Sequence, residues 1–239
     1  MSEVGLKDLA KTMVDVVVEE EEIDVKDISA LPEDIKQEAR KELEAEDICE
    51  DEKRLVEAGL DSLEELTYHP AFSYGNSIYL KYHDIEKLGK EVRRTMNSNF
   101  HRRLTMRGLF SVTDLEMGFF AVMHECAHTL QTDHEKAMDQ ARAIEEAIDR
   151  LTDLERDKLE EMAIRAGMIK KIAYQGPDEA EDELIKKFKK ILDEEMYETE
   201  TEKEADQMGA EMVFTLRQIT SDISEEDLEE AISYLKEVF

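Results

Sequence analysis

Cysteine, long apolar runs and positive charge are all scarce in this 239-residue chain. Cys49 and Cys126 are too few for a disulfide framework, and nothing at the N-terminus reads as a signal peptide, so a reducing, cytoplasmic setting is the expectation. No stretch approaches the roughly 18 apolar residues that a membrane helix needs, so no membrane span is expected. Lys and Arg number 31 against 61 Asp and Glu, a net charge of -30. A field of that sign repels nucleic acid and anionic membranes, which removes both from the expected partners. Internal repeats and low-complexity linkers are also missing.

What is present points to helices. The hydrophobic fraction of 41% is ordinary, while 38% charged residues implies long solvated helix faces. The length suits one sizeable core or two small domains. Leu6, Leu9, Ala10, Met13, Val14 and Val17 fall at helical spacing, and residues 33–46 and 50–66 read as two further acidic helices, with Leu55, Leu60, Leu63 and Leu66 facing inward. Composition changes at Tyr68, where aromatics, a proline and a glycine gather and residues 77–82 form the best strand candidate. The reading is therefore an acidic helical N-terminal region, 1–67, followed by a domain over 68–239. The fold class is α+β, predominantly helical, with a small sheet.

Residues 86–107 form the single basic segment, including Arg93, Arg94, His101, Arg102, Arg103 and Arg107. In so acidic a chain, internal pairing with the N-terminal helices is the expected use of that charge. Beyond His134 the helical pattern meets little to break it before Gly167, and Gly176-Pro177 marks a turn. A second helical stretch is expected from Asp178 to Leu216, bent near residues 197–201, and Ser224 caps a last amphipathic helix through Phe239.

The chemistry concentrates in MHECAHTLQTDH, Met123 to His134. His124, Glu125 and His128 spell H-E-x-x-H, whose two histidines at i and i+4 share one helix face and reach one metal, while the glutamate can hold the metal's water. Thr113 with Glu116 makes a capping box that starts the helix, and Gly118 to Met123 is an apolar run that buries it. Buried ionisable groups need a partner such as a metal, which favours a zinc site. Cys126 lies about 200° round the helix from His124, so it is expected to be a packed thiol and not a ligand.

Catalytic zinc takes three protein ligands, and the residues leave two answers for the third. His134 gives H-E-x-x-H-x-x-Q-x-x-H, close to the metzincin pattern, but Gln131 stands where that pattern needs a glycine to break the helix. The other answer is a glutamate returned by a later helix in the arrangement Glu-x-x-x-Asp, a spacing found at Glu135/Asp139, Glu145/Asp149 and Glu202/Asp206.

HECAHTLQTD together with EKEADQMGAEM resembles the HtpX and CAAX-prenyl-protease class of gluzincins, whose pattern is H-E-x-x-H followed much later by E-x-E-A-D-x-x-G-A. The likeness covers residues 118–138 and 198–216, and many relatives of this class are membrane-embedded, unlike this chain. A gluzincin of the soluble, repressor-cleaving type is also compatible, although its motifs usually lie closer together. The resemblance implies a zincin-like fold with the sheet beside the metal helix, Glu202 as third ligand, Asp206 bonded to a zinc-bound imidazole, and Gly209 allowing close approach of the two helices. It implies a zinc-dependent peptidase with Glu125 as general base and a peptide or protein as substrate. Because extended substrates add to a strand beside the metal helix, Asn76, Ser77, Ile78 and Tyr79 are the expected substrate edge. Tyr197, His101, Tyr174 and Arg217 are the candidates for stabilising an oxyanion. The rival reading is an acidic helical interaction or structural protein whose zinc site does not turn over; an intact Glu125 argues against it.

Overall fold

The computed structural model describes residues 3–45, 63–95, 98–150, 188, 190–192 and 194–222. The elements in order are α1 (Glu3–Glu20), β1 (Asp24–Asp27), α2 (Leu31–Ala45), a 3-10 segment (Leu63–Tyr68), β2 (Ala71–Tyr74), β3 (Ser77–Leu80), α3 (Ile85–Thr95), α4 (Ser98–Met106), α5 (Asp114–Leu130), α6 (Asp133–Asp149) and α7 (Glu200–Asp222). The protein is predominantly helical with one three-stranded sheet, as expected. Contacts divide it into two units, 1–28 with 69–132 and 203–239, and 29–68 with 133–202.

The division does not follow the expected boundary at residue 67. The first 28 residues belong with the histidine-bearing helix, because Leu9, Ala10 and Val14 of α1 are buried in the same core as Phe119, Phe120 and Met123 of α5. In addition, β1 pairs in parallel with β3, Asp24 opposite Ser77 and Asp27 opposite Leu80. Adding β2, antiparallel to β3 with Ala71 opposite Leu80, gives the order β1-β3-β2. Strand β3 is thus central, two residues shorter than expected, and buried along its length.

Helix α5 runs against β2, β3, α1 and α3. Its start is the expected capping box: Glu116 N–H donates to Thr113 Oγ1 at 3.2 Å, and Thr113 N–H donates to Glu116 Oε2 at 2.7 Å. At the crossing of α3 and α5 the backbones touch. A Cβ on Gly118 would lie 1.8 Å from Ile85 O, and one on Gly89 would lie 1.7 Å from Asp114 O. Only glycine at both positions permits that approach.

In the other unit, Ala143 and Ala147 of α6 bury themselves with Phe188, Ile191 and Leu192, and Arg150 donates to Glu194 at 2.9 Å and to Glu195. Leu31 and Ile35 of α2 and Leu63 of the 3-10 segment are also buried there. The helix expected over 50–66 is a 3-10 segment from Leu63 onward, and the remainder lies outside the described residues. So do Cys49, Tyr174, the Gly176-Pro177 turn and the last helix. A turn at Glu198–Thr199 precedes α7, where the bend was expected.

The helix through the motif ends before His134. Gln131 closes α5 with extended backbone, φ -81° and ψ 141°, and α6 begins two residues later. No glycine is required because the break uses negative φ, which any residue adopts. Its signature is Thr132-Asp133-His134-Glu135, a second T-x-x-E pattern of the kind that starts α5.

Candidate metal centre

His124 and His128 sit one turn apart on the last two turns of α5. Their rings meet at 4.7 Å between centroids, and the two Nε2 atoms are 3.1 Å apart. Each Nδ1 is engaged elsewhere. His128 Nδ1 lies 2.7 Å from Gln131 Oε1, and His124 Nδ1 lies 3.2 Å from Asp206 Oδ1. Both partners are acceptors, so rings protonated on Nδ1 would turn their Nε2 lone pairs toward each other. Two facing lone pairs repel, and a shared cation converts that repulsion into a chelate.

Glu202 completes the group. Ligand atoms of His124, His128 and Glu202 all lie within 4.8 Å of one another, and all three side chains are half-buried, so they form a set able to hold a metal ion. Glu202 stands on the first turn of α7, a third T-x-x-E start: its N–H faces Thr199 Oγ1 at 3.4 Å. The Thr199 N–H donates to Met196 O at 3.3 Å. Asp139 of α6 takes the next free amide of that turn, with Thr201 N–H donating to its Oδ2 at 2.8 Å. The other candidate, His134, is exposed at the start of α6 and is not in the group. The reason is different from helix continuity, since the helix does break; α6 simply restarts with His134 turned to solvent.

Asp206, one turn after Glu202, is 5% exposed at its side chain, and its Oδ1 lies 3.2 Å from His124 Nδ1, the contact that the resemblance implied. Burial alone would raise its pKa, but the bonds from His124 and Arg103 outweigh that and hold it below the usual carboxylate range. Arg103 Nε donates to Asp206 Oδ2 at 2.6 Å while its Nη2 donates to Oδ1. The basic run had given no reason to single out Arg103. Among the described residues its segment pairs within the chain, Arg93 with Asp114 and Arg94 with Glu91.

Packing holds the first histidine from a second side. Phe120 stacks on His124 at 5.9 Å, and Phe100 meets Phe120 edge-on at 5.8 Å. Gly209 brings α7 onto this layer, where a Cβ would come within 2.9 Å of the Phe120 ring and 3.1 Å of its carbonyl oxygen. Glu125, beside His124, is half-buried. Cys126 faces the core as expected, fully buried, and burial pushes its thiol up to about 12. Arg217 is not available to an oxyanion, since its Nε donates to Glu116 Oε1 at 2.6 Å and its Nη2 to Ser111 O at 2.5 Å.

The expected substrate edge is corrected by the sheet. Ser77, Ile78 and Tyr79 are buried in a strand paired on both sides, and Asn76 is engaged through its Nδ2 with Glu22 O at 2.5 Å. A strand without a free edge cannot accept another. The edges of this sheet belong to β1 and β2, and β2 is the one that lies against α5.

No known protein family, curated protein or solved structure matches the chain. Among the described residues no helix is long and apolar enough to cross a membrane.

Proposed function

We propose that the protein is a zinc-dependent peptidase of zincin type. The observation that carries this reading is the convergence of the His124 and His128 Nε2 atoms at 3.1 Å, with both Nδ1 atoms engaged by acceptors and Glu202 within reach. Two nitrogens bonded to one tetrahedral zinc at ~2.0–2.1 Å are roughly 3.3 Å apart, so the pair fits that ion. Two histidines and one carboxylate also leave a coordination position open, which a structural site would close.

Zinc bound there would supply a Lewis acid that acidifies water and polarises a carbonyl. The rest of the chemistry belongs to this chain. Glu125, adjacent to His124 and half-buried, accepts the proton of the attacking water and later delivers it to the leaving amine nitrogen. Asp206 keeps the His124 proton on Nδ1, and Gln131 does the same for His128, so both Nε2 atoms remain donors to the metal. An extended peptide would pair with β2, an edge strand of the sheet among the described residues that lies beside the histidine-bearing helix.

The test combines metal analysis of the purified protein with digestion of an unbiased peptide library. Zinc near one equivalent and cleavage that falls about 10²–10⁴-fold in Glu125→Gln, with zinc retained, are the expected results. Cleavage unchanged in that variant would overturn the assignment of the base. A metal-loaded protein that cleaves nothing would favour the rival, a structural or interaction protein.

A further inference from the structure

We propose that Arg103 is a positioning residue for His124, acting through Asp206; this rests on reading the site as a metal centre. Arg103 comes from α4, and its side chain is 12% exposed although the molecule offers surface carboxylates in large excess. The guanidinium takes both oxygens of Asp206, Nε on Oδ2 at 2.6 Å and Nη2 on Oδ1. A fork of this kind fixes the plane of the carboxylate as well as its place, which a lysine ammonium cannot do. The oxygen so fixed, Oδ1, is the one 3.2 Å from His124 Nδ1.

Arg103 also reaches the same imidazole by a second route. Its guanidinium lies 5.6 Å over the Phe100 ring, Phe100 meets Phe120 edge-on, and Phe120 stacks on His124. One side chain therefore governs both the proton of the ring, through Asp206, and the plane of the ring, through two aromatic contacts. With Arg103 removed, Asp206 is left as a buried carboxylate free to rotate, and His124 is no longer held to one tautomer.

A purely structural role, clamping α4 to α7, makes a different prediction, and Arg107 supplies the control. It joins the turn after α4 to α7, Nη2 donating to Lys203 O at 2.9 Å and Nη1 to Gln207 Oε1 at 3.1 Å. The experiment is imidazole ¹⁵N spectroscopy of the metal-free full chain, followed by Co²⁺ titration, for wild type, Arg103→Met, Arg103→Lys and Arg107→Ala. Wild type should show His124 as the Nδ1–H tautomer. Arg103→Met should show a tautomer mixture and bind Co²⁺ about 10–100-fold more weakly, Arg103→Lys should fall between, and Arg107→Ala should match wild type. Arg103→Met with the wild-type spectrum and affinity overturns the proposal, as does Arg107→Ala with the same loss. If Arg103→Met does not fold, an unaltered His124 spectrum in Arg103→Lys overturns it equally. Wild type that takes up no Co²⁺ refutes the metal reading itself, while the metal-free spectra still decide whether Arg103 sets the His124 tautomer.

Discussion

The two halves of α5 are built on opposite principles. In the N-terminal half the helix touches α3 backbone to backbone through Gly118 and Gly89, and Leu115, Met117, Phe119 and Val122 are buried around that crossing. In the C-terminal half His124, Glu125 and His128 are half-buried; Gln131 Oε1 lies against His128 Nδ1, Asp206 Oδ1 against His124 Nδ1, and Phe120 stacks on His124. The first half leaves no room for a Cβ at Gly118, whereas the second gathers side chains that could hold a metal ion. A helix held rigidly at one end transmits that rigidity along its hydrogen-bonded ladder, which helps two histidines four residues apart keep their mutual geometry.

The largest effect should come from attacking the rigid half. Gly118→Ala gains about 1 kcal/mol of helix propensity but forces the two helices apart, at a cost of at least about 3 kcal/mol for overpacking against backbone. Chemical denaturation should show that loss, and metal uptake should fail together with the fold. Equal stability would mean that the two halves do not differ as described.

In the receptive half the expected damage is confined to the site. Glu202→Ala should weaken metal binding by more than about 100-fold, beyond the range for removing an outer hydrogen-bond partner, with the melting temperature of the metal-free protein nearly unchanged. His134→Ala, at an exposed residue outside the group, should bind as wild type does. Chelator competition reads both, and the reverse outcome would move the third ligand to His134.

Gly209→Ala tests where the halves meet. The added Cβ pushes on the Phe120 ring, which is fully buried and stacked on His124. Stability should fall by only about 1 kcal/mol, since a side chain rather than backbone yields first, yet the His124 environment should change visibly in imidazole spectra. A stability loss without that spectral change would disconnect Phe120 from the site.

The smallest effect belongs to an ion pair outside both halves. Glu91 of α3 accepts from Arg94 and from Lys81, and these cations hold its carboxyl down to about 2. Its folded value is depressed, so the stabilisation is complete above the ordinary value of 4.5 and is lost as pH falls toward about 2. Arg94 is 71% exposed, which keeps the contribution on the surface scale of about 1 kcal/mol or less. Thermal melts of wild type and Glu91→Gln should therefore differ near neutral pH and converge through that acid window.

Three helix starts carry the same T-x-x-E signature: Thr113–Glu116, Thr132–Glu135 and Thr199–Glu202. Only the first was legible as a helix start, because an apolar run follows it. The second was hidden inside a continuous helical periodicity, which is why α5 and α6 read as one helix. The third was legible only through the resemblance of ETEKEADQMGAEM, where a glutamate that caps a helix and one that binds a metal look alike.

What the sequence by itself determined is local: α1 with its apolar stripe, the capped start of α5, a strand near Ser77, Cys126 facing inward, and the two histidines on one face. Each follows from spacing along a single element, which helix or strand geometry converts directly into direction. The tertiary structure alone decided that α3 and α5 meet glycine to glycine, that β3 is central and so has no edge to offer, and that Arg103 closes on Asp206 from 103 positions away. These depend on which surfaces bury each other across long separations, and periodicity records that a face is apolar or charged without recording what it meets.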